Sequence, residues 1–317
     1  NVSVVRGGET LLDGVSFSIG KGQRVGLIGS AGSGKSLLLR AIVGLLPHGA
    51  TMTGTISFDD KPMPSGEAEI AALRGRRIGV LLANAGETLD PLVTIGAQLA
   101  AALPDQADAK TKVGLLLGEV GLDPKRADRY AADLTIPERQ LVACAIALAR
   151  QPDFLVADDP AAGLDLIGQR RVLDLIQRHV GERNMSPLIV SHDLKAIAML
   201  STKIVVLLGG KVVESGEKAE IFGHPRHEFT RAVLSAGRHR ARTLMRTPIG
   251  AVLLDVRDVT RHYRQPDRAL CEPRSPRGAL VGVSFTGRAG ESVGIVGPCG
   301  AGKSTLARII VGLERTT

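Results

Sequence analysis

The chain has 317 residues, of which 44 % are hydrophobic and 3 % aromatic, and its formal net charge is +8. This length suffices for two ordinary domains, and no apolar run approaches the roughly 18 residues of a membrane-spanning helix. The basic residues are not interleaved with aromatic ones, so we expect no nucleic-acid partner. Cys144, Cys271 and Cys299 are scattered without metal-like spacing, which argues against a disulfide framework and fits a reducing compartment.

The first elements predict an antiparallel layer followed by a buried strand. Residues 1–19 alternate apolar and polar positions, which indicates two antiparallel strands. The chain begins inside this pattern, so we expect the native N-terminus upstream. Val25–Ile28 is an apolar run typical of a parallel strand, and Leu37–Val43 predicts a helix.

Between that strand and that helix lies a G-x-x-x-x-G-K-[ST] motif. Its residues are Gly29, Ser30, Ala31, Gly32, Ser33, Gly34, Lys35 and Ser36. Glycines let backbone N–H groups surround a polyphosphate at a helix N-terminus. Lys35 is expected to reach the β- and γ-phosphates, and the Ser36 hydroxyl to bind Mg²⁺. The alternative is a glycine-rich turn without a ligand.

The middle of the chain predicts two strands and then a helical insertion. Gly54–Phe58 and Arg76–Leu82 read as strands. Residues 89–133 are rich in Ala and Leu at a helical period, and Pro104 and Pro124 interrupt them. We place a helical subdomain at about 84–140.

The following segment alternates helices and strands. The predicted elements are a helix over Pro137–Arg150, a buried strand ending in Asp158 and Asp159, a helix over Leu166–Val180, a strand over Leu188–His192, and a hairpin from Ile204 to Glu214 around Gly209-Gly210. The strand before Asp158 delivers two carboxylates to the edge where open parallel sheets bind ligands. A simple strand-end turn is the alternative.

The phosphate-loop motif occurs a second time, 268 residues later (303 − 35). The repeated residues are Gly297, Pro298, Cys299, Gly300, Ala301, Gly302, Lys303, Ser304 and Thr305. Gly14–Phe17 recurs as Gly282–Phe285 at the same offset, so the repeat is a duplicated domain. We predict a first domain at 1–236, a linker at 237–250 and the N-terminal part of a second domain at 251–317. We expect the native chain to continue beyond Thr317.

Two further segments complete a resemblance to the ATPase subunits of ABC transporters, and more narrowly to the peptide/nickel importer group. Leu89–Gly96 is close to the "LNP…TVG" segment of that group, and Pro225–Arg231 is close to its "P-x-HPYT" signature. The resemblance implies an α/β P-loop NTPase fold with a RecA-like core, an antiparallel β layer and an α-helical subdomain, then the start of a second copy. It also implies ATPase activity with ATP and Mg²⁺.

The resemblance assigns roles to several residues. Asp158 matches the Walker B acid that holds Mg²⁺ together with Ser36, and Ser304 would serve the second copy. His192 is similar to the switch histidine that contacts the γ-phosphate, although a lone histidine is usually structural. Asp165 matches the D-loop that crosses to the partner domain, a role compatible with capping a helix.

Copy one departs from the family pattern at its catalytic positions. Ala83 stands where the family has a Gln that touches Mg²⁺ and the attacking water, and alanine can do neither. Asp159 stands at the position of the catalytic Glu. Its carboxylate is one methylene shorter, and a displacement near 1 Å can cost about 10²-fold in rate.

The signature motif "LSGGQ" is also altered, to Leu134-Thr135-Ile136-Pro137-Glu138. In the family this helix start offers a hydroxyl and N–H groups to the γ-phosphate of the other domain. Thr135 keeps the hydroxyl, Pro137 lacks the N–H, and Glu138 adds negative charge. Arg6 replaces the adenine-stacking aromatic, which copy two retains as Tyr263. Arginine can also stack on adenine, so this change weakens base binding without excluding it. The offset there is 257, so copy two has about eleven extra residues.

We therefore predict an asymmetric ATP-driven importer motor for peptides or related small solutes. The resemblance implies head-to-tail pairing of the ATPase domains, two transmembrane permease subunits, an extracytoplasmic substrate-binding protein, and a place on the cytoplasmic face of the inner membrane. A non-hydrolysing ATP-binding module is the second hypothesis, favoured by Ala83 and Asp159. A soluble ABC protein acting on ribosomes or DNA is the third, and the importer-like segments count against it.

Overall fold

The computed structural model describes residues 1–84, 88–105, 107–237, 250–263, 277–297 and 300–317. The chain divides into two compact units, residues 1–239 and residues 240–317. Among the helices in these described ranges, none is long and apolar enough to cross a membrane.

The first unit has eleven strands and nine helices among its described residues. The strands are β1 (Val2–Arg6), β2 (Glu9–Val15), β3 (Val25–Gly29), β4 (Ala50–Thr53), β5 (Ser57–Phe58), β6 (Lys61–Pro62), β7 (Ile78–Leu81), β8 (Phe154–Asp158), β9 (Ser186–Val190), β10 (Lys203–Leu208) and β11 (Lys211–Glu217). The helices are α1 (Lys35–Ile42), α2 (Glu67–Leu73), α3 (Ile95–Ala102), α4 (Ala109–Glu119), α5 (Ile136–Leu148), α6 (Leu166–Arg183), α7 (Leu194–Leu200), α8 (Lys218–Gly223) and α9 (Glu228–Gly237).

A six-stranded sheet in the order β11-β10-β3-β9-β8-β7 forms the core of this unit. All pairings are parallel except that of β10 with β11. Its central strands are continuous aliphatic runs because helices cover both faces of a parallel sheet. The carboxyl ends of β3, β8 and β9 therefore meet at one edge, and the predicted RecA-like core is confirmed.

A separate antiparallel layer has the order β2-β1-β4. The two strands predicted within residues 1–19 are confirmed as β1 and β2. The strand predicted over Gly54–Phe58 is wrong at its start, since β4 ends at Thr53 and only Ser57–Phe58 pairs, in the short hairpin of β5 with β6. Gly54 turns the chain at φ 93°, and a Cβ there would lie 1.7 Å from the Asn1 carbonyl oxygen.

The predicted helical insertion is confirmed between β7 and β8. It contains α3, α4, two 3₁₀ turns (Pro124–Asp128 and Ala131–Asp133) and α5. Thr94 begins α3 by accepting a hydrogen bond from the Ala97 N–H. The apolar faces of these helices share a core with the sheet that includes Leu99, Leu117 and Leu141, so the insertion is held against the sheet.

The end of the first unit is organised around Glu214 on β11. Its carboxylate accepts hydrogen bonds from the backbone N–H groups of Arg226, at 2.8 Å, and His227, at 3.0 Å. The segment Pro225–Arg231 is thereby tied to the sheet where α9 begins. α9 ends at Gly237, one residue beyond the predicted end of the first domain, and most of the predicted linker lies outside the described residues.

The second unit contains β12 (Val252–Tyr263), β13 (Arg277–Arg288) and α10 (Lys303–Ile310). In the first unit the Gly14 N–H donates to Ser3 Oγ, and in the second the Gly282 N–H donates to Thr260 Oγ1, both over about 3 Å (2.9 and 3.0 Å). These pairs are related by offsets of 268 (282 − 14) and 257 (260 − 3). The same hydrogen bond thus occurs in both units at the offsets that the sequence predicts for the repeat and for its extra residues.

The two units differ at the strand that precedes the phosphate loop. In the first unit this strand, β3, lies between β9 and β10. In the second unit residues 291–297 form no strand, and the side chains of Val293, Ile295 and Val296 are exposed. The described residues of the second unit include no counterparts of β9 and β10, so this apolar run has no strand partners there.

Candidate functional site

The first phosphate loop connects β3 to α1 through a tight turn. Gly32 and Gly34 have φ values of 74° and 95°, which favour glycine. A Cβ on Gly34 would lie 2.5 Å from Leu12 Cδ2 and 3.2 Å from the Leu11 carbonyl oxygen. β2 therefore packs directly on the loop, and the antiparallel layer fixes its shape.

Lys35 folds back over this loop. Its Nζ donates to the carbonyl oxygens of Gly29, at 3.0 Å, and Ser30, at 2.6 Å, and lies 3.4 Å from Ser33 Oγ. Burial lowers the pKa of this amine, and the nearby Asp158 and Asp159 oppose that shift. The ammonium group is thus held at the concave side of the loop, where backbone N–H groups face a polyphosphate in this motif.

Asp158 is the last residue of β8 and lies close to Lys35 and Ser36, the first two residues of α1. Burial raises the pKa of its carboxyl, while a hydrogen bond from Ser36 and the charge of Lys35 lower it. A hydroxyl and a carboxylate in contact are hard oxygen donors that suit Mg²⁺. The described residues contain no cluster of three His, Cys, Asp or Glu side chains able to hold a metal alone. The pair fits an ion completed by water and phosphate oxygens, as Mg²⁺ usually is.

Asp159 and His192 meet at the ends of the adjacent strands β8 and β9. The Asp159 N–H donates to the Val190 carbonyl at 2.8 Å, and Asp159 Oδ1 accepts from the His192 N–H at 3.0 Å. His192 Nε2 lies 3.6 Å from Asp159 Oδ2. Asp159 has φ 45°, a conformation in which aspartate is among the more tolerated residues. The shorter carboxylate is thereby turned toward the histidine.

Asp165 begins α6 and accepts a hydrogen bond of 2.7 Å from the Gly168 N–H. Asp165 therefore caps the helix, a role that the sequence analysis considered compatible with a D-loop position. Gln140, which the sequence analysis did not single out, is buried on α5 and donates to the Pro160 carbonyl at 3.0 Å. This hydrogen bond ties α5 to the loop that joins Asp159 to Asp165. In the sequence, the only feature that marks Gln140 is its position directly before a long apolar run.

The start of α5 is closed by an internal carboxylate. Glu138 Oε2 accepts from the Thr135 N–H at 2.8 Å and from the Thr135 hydroxyl at 3.0 Å. The Glu138 N–H in turn reaches Thr135 Oγ1 at 3.4 Å, which completes a capping box. Arg126 forms an ion pair of 2.7 Å with Glu138 Oε1. The Thr135 N–H, the Thr135 hydroxyl and the Glu138 N–H, which could bind an external anion, are thus already used, and Pro137 has no N–H to offer.

Two other predicted positions lie where the sequence placed them. Ala83 is exposed and follows the end of β7, the strand that pairs with β8. Arg6 ends β1 and is exposed.

The second loop repeats the first in its described residues. Gly302 has φ 85°, and a Cβ there would lie 2.7 Å from Leu280 Cδ2, the counterpart of Leu12. Lys303 Nζ donates to the Gly297 carbonyl at 2.8 Å, as Lys35 does to Gly29. Pro298 and Cys299 lie outside the described residues. Ser304 and Thr305 are in the first turn of α10, and Gly300 and Ala301 precede it.

Comparison with known proteins gives a family match and related sequences. The family model described as ABC transporter matches residues 12–162 and 280–317. The chain is 33 % identical over 318 aligned residues to the peptidoglycan transport ATP-binding protein YejF of Agrobacterium fabrum, covering 96 % of this chain and 58 % of that protein. It is 34 % identical to the oligopeptide transport ATP-binding protein AmiF of Streptococcus pneumoniae, covering 70 % of this chain and 73 % of AmiF. The chain thus spans less than two thirds of the YejF length.

Solved structures show the same fold. The dimeric structure of MJ0796, a bacterial ABC transporter cassette, superposes with a TM-score of 0.61 at 23 % identity and covers 68 % of this chain and 98 % of the cassette. A post-hydrolysis dimer of the same cassette, bound to ADP and Pi, gives a TM-score of 0.59.

Proposed function

The chain belongs to the ABC transporter family, and on that premise we propose that it binds and hydrolyses ATP to power the uptake of peptides or related small solutes. The observation that carries the proposal is the phosphate loop of the first unit. Lys35, Ser36 and Asp158 converge there at the carboxyl edge of the sheet, and the second unit repeats the lysine geometry with Lys303.

The residues of the first unit have distinct roles in this mechanism. The N–H groups of Gly29–Ser36 and the Lys35 ammonium bind the triphosphate. The Lys35 ammonium then exchanges its hydrogen bonds to the carbonyl oxygens of the loop for hydrogen bonds to phosphate oxygens. Ser36 and Asp158 would hold Mg²⁺, which neutralises charge that develops on the phosphate oxygens. Asp159 orients the attacking water and His192 contacts the γ-phosphate, and the hydrogen bond from the His192 backbone N–H fixes the Asp159 carboxylate.

We propose that the two composite sites are unequal. Ala83 cannot position water or the metal, and the Asp159 carboxylate is drawn toward His192. The start of α5 presents a carboxylate to a neighbouring domain instead of hydrogen-bond donors, because the Thr135 N–H and hydroxyl already donate to Glu138. Both the site on the first loop and the site that α5 would complete are therefore weakened by the first unit.

The organisation proposed for the protein follows from the family. Residues 1–236 form the first ATPase domain and residues 251–317 the first part of a second, and the two domains pair head-to-tail around ATP. Relatives named for oligopeptide and peptidoglycan transport support a peptide-like cargo. Two permease subunits, an extracytoplasmic binding protein and a place on the cytoplasmic face of the membrane complete the proposal.

A second candidate is an ATP-binding module with negligible hydrolysis. The specific observation in its favour is that Asp159, in a left-handed conformation, directs both carboxylate oxygens toward His192. In that case ATP binding would close the domains, and the energy for transport would come from the other composite site or from binding alone.

The experiment is steady-state ATP turnover of the full-length protein assembled with its permease, comparing Lys35→Ala with Lys303→Ala. We expect Lys303→Ala to abolish turnover and Lys35→Ala to reduce it, which would make copy two the engine and copy one a regulatory clamp. Full turnover in both variants would refute the proposed function. If the wild-type protein binds ATP but shows no turnover, the second candidate is favoured.

A further inference from the structure

Tyr263, at the end of β12, is held by two side chains of the second unit. The guanidinium carbon of Arg261 lies 5.0 Å from the centre of the Tyr263 ring, a distance typical of a cation–π contact. The Tyr263 hydroxyl lies 3.4 Å from Thr305 Oγ1 in the first turn of α10. The ring is thus fixed relative to the helix that follows the phosphate loop.

Arg261 is itself anchored from the far end of the same helix. Its Nη2 forms an ion pair of 3.3 Å with Glu314, just past the end of α10. Both side chains are largely buried, with 24 % and 16 % of their side-chain surface exposed. Arg261 and Tyr263 are two residues apart on one strand, so their side chains lie on the same face of the sheet.

The first unit lacks this whole arrangement. At the offsets already established, Val4 is the counterpart of Arg261 (261 − 257) and Leu46 the counterpart of Glu314 (314 − 268). Both belong to one apolar cluster of the first unit. Tyr263 corresponds to the exposed Arg6. An apolar pair in one repeat is thus an ion pair in the other, and the ion pair accompanies the tyrosine.

We propose that Arg261 is a positioning residue for nucleotide-base binding at the second phosphate loop, acting through Tyr263. This proposal rests on the proposed function and on the base-stacking role that the family resemblance implies for Tyr263. Arg261 covers one face of the ring, and Tyr263 retains 37 % of its surface exposed, so the base stacks on the other face. The Glu314 ion pair transmits the position of α10, and hence of the loop, to the ring.

The test separates base binding from phosphate binding. In the full-length protein carrying Lys35→Ala, so that binding reports on the second loop, dissociation constants are measured for Mg-ATP and for Mg-tripolyphosphate, which has no base. The main variant is Arg261→Val with Glu314→Leu. Val and Leu are the residues of the first repeat at these two positions, Val4 and Leu46. The double variant therefore replaces the ion pair by an apolar pair, whereas a single substitution would leave one buried charge without its partner.

We expect the double variant to weaken ATP binding about tenfold, within the range for loss of one base stack, and to leave tripolyphosphate binding unchanged. Tyr263→Ala is expected to give the same pattern, and Arg261→Lys to retain part of the ATP affinity. Unchanged ATP binding in the double variant, or equal weakening of both ligands, would overturn the role of Arg261. If Lys303→Ala in the same background leaves tripolyphosphate binding intact, the proposed function of the second loop itself fails.

Discussion

Replacing Glu138 by Gln removes one negative charge from the start of α5 while keeping the shape of the side chain. Gln serves at this position of a capping box nearly as well as Glu, so the Thr135 N–H keeps an acceptor. The ion pair with Arg126 is lost, and because both partners are partly exposed, that loss costs at most about 1 kcal/mol. The variant therefore folds normally.

The effect on nucleotide should be much larger than the effect on stability. In the wild type the Thr135 hydroxyl donates to Glu138 at 3.0 Å and is not available to a phosphate. The amide oxygen of Gln is a weaker acceptor than a carboxylate, whereas a hydrogen bond to a charged phosphate contributes about 1.5–3 kcal/mol. In the variant the Thr135 hydroxyl therefore donates to phosphate in preference to the amide, and removal of the repelling carboxylate adds to the gain. We therefore expect about a tenfold increase or more in ATP turnover by the composite site that α5 completes.

The assay is steady-state ATP turnover of the full-length protein with its permease, and Arg126→Met is the matched control. That variant breaks the same ion pair but leaves the carboxylate in place, so we expect no increase. If Glu138→Gln turns over ATP at the wild-type rate, the carboxylate does not block the helix start. An equal increase in Arg126→Met would likewise contradict the reasoning, because the charge would remain.

Three further predictions concern the first site. Asp159→Glu extends the carboxylate and should raise turnover by up to about 10²-fold, while a larger side chain at φ 45° should lower the free energy of unfolding by about 1 kcal/mol; a lower rate would mean that carboxylate reach is not limiting. Asp158→Asn should stabilise the fold at neutral pH while abolishing turnover: burial raises the pKa of this carboxyl, so the wild type loses stability as pH rises above the ordinary value of 3.8. Urea titrations of both proteins should then converge below that pH, and an advantage that persists there would contradict the assignment. Gly34→Ala should cost about 2–3 kcal/mol because its Cβ would meet Leu12 at 2.5 Å, whereas Gly32→Ala, with nothing within 4 Å, should cost only about 1–2 kcal/mol of backbone strain; equal losses in thermal melts would show that the Leu12 contact is unimportant.

The sequence predicted those parts of the fold whose signals are local. Apolar runs of four or five residues gave β3 and β8, and the Gly209-Gly210 turn gave the hairpin of β10 with β11. The strand predicted over Gly54–Phe58 was wrong at its start because Gly54 turns the chain at φ 93°, so close to the Asn1 carbonyl that a Cβ would not fit. Nothing local encodes that contact, since the two residues meet only after β1 pairs with β4.

The candidate site shows the same division. The phosphate loops, the two carboxylates after β8 and His192 follow from motifs with fixed spacing, so the sequence alone determined the family and the residues expected to act. The tertiary structure decided which contacts those residues make. Asp159 accepts a hydrogen bond from the His192 N–H. Glu138 accepts one from the Thr135 hydroxyl and forms an ion pair with Arg126, and Arg261 covers one face of the Tyr263 ring. Motifs specify which chemical groups are present along the chain, whereas hydrogen bonds and ion pairs between distant segments depend on distances that only the packed sheet and helices set.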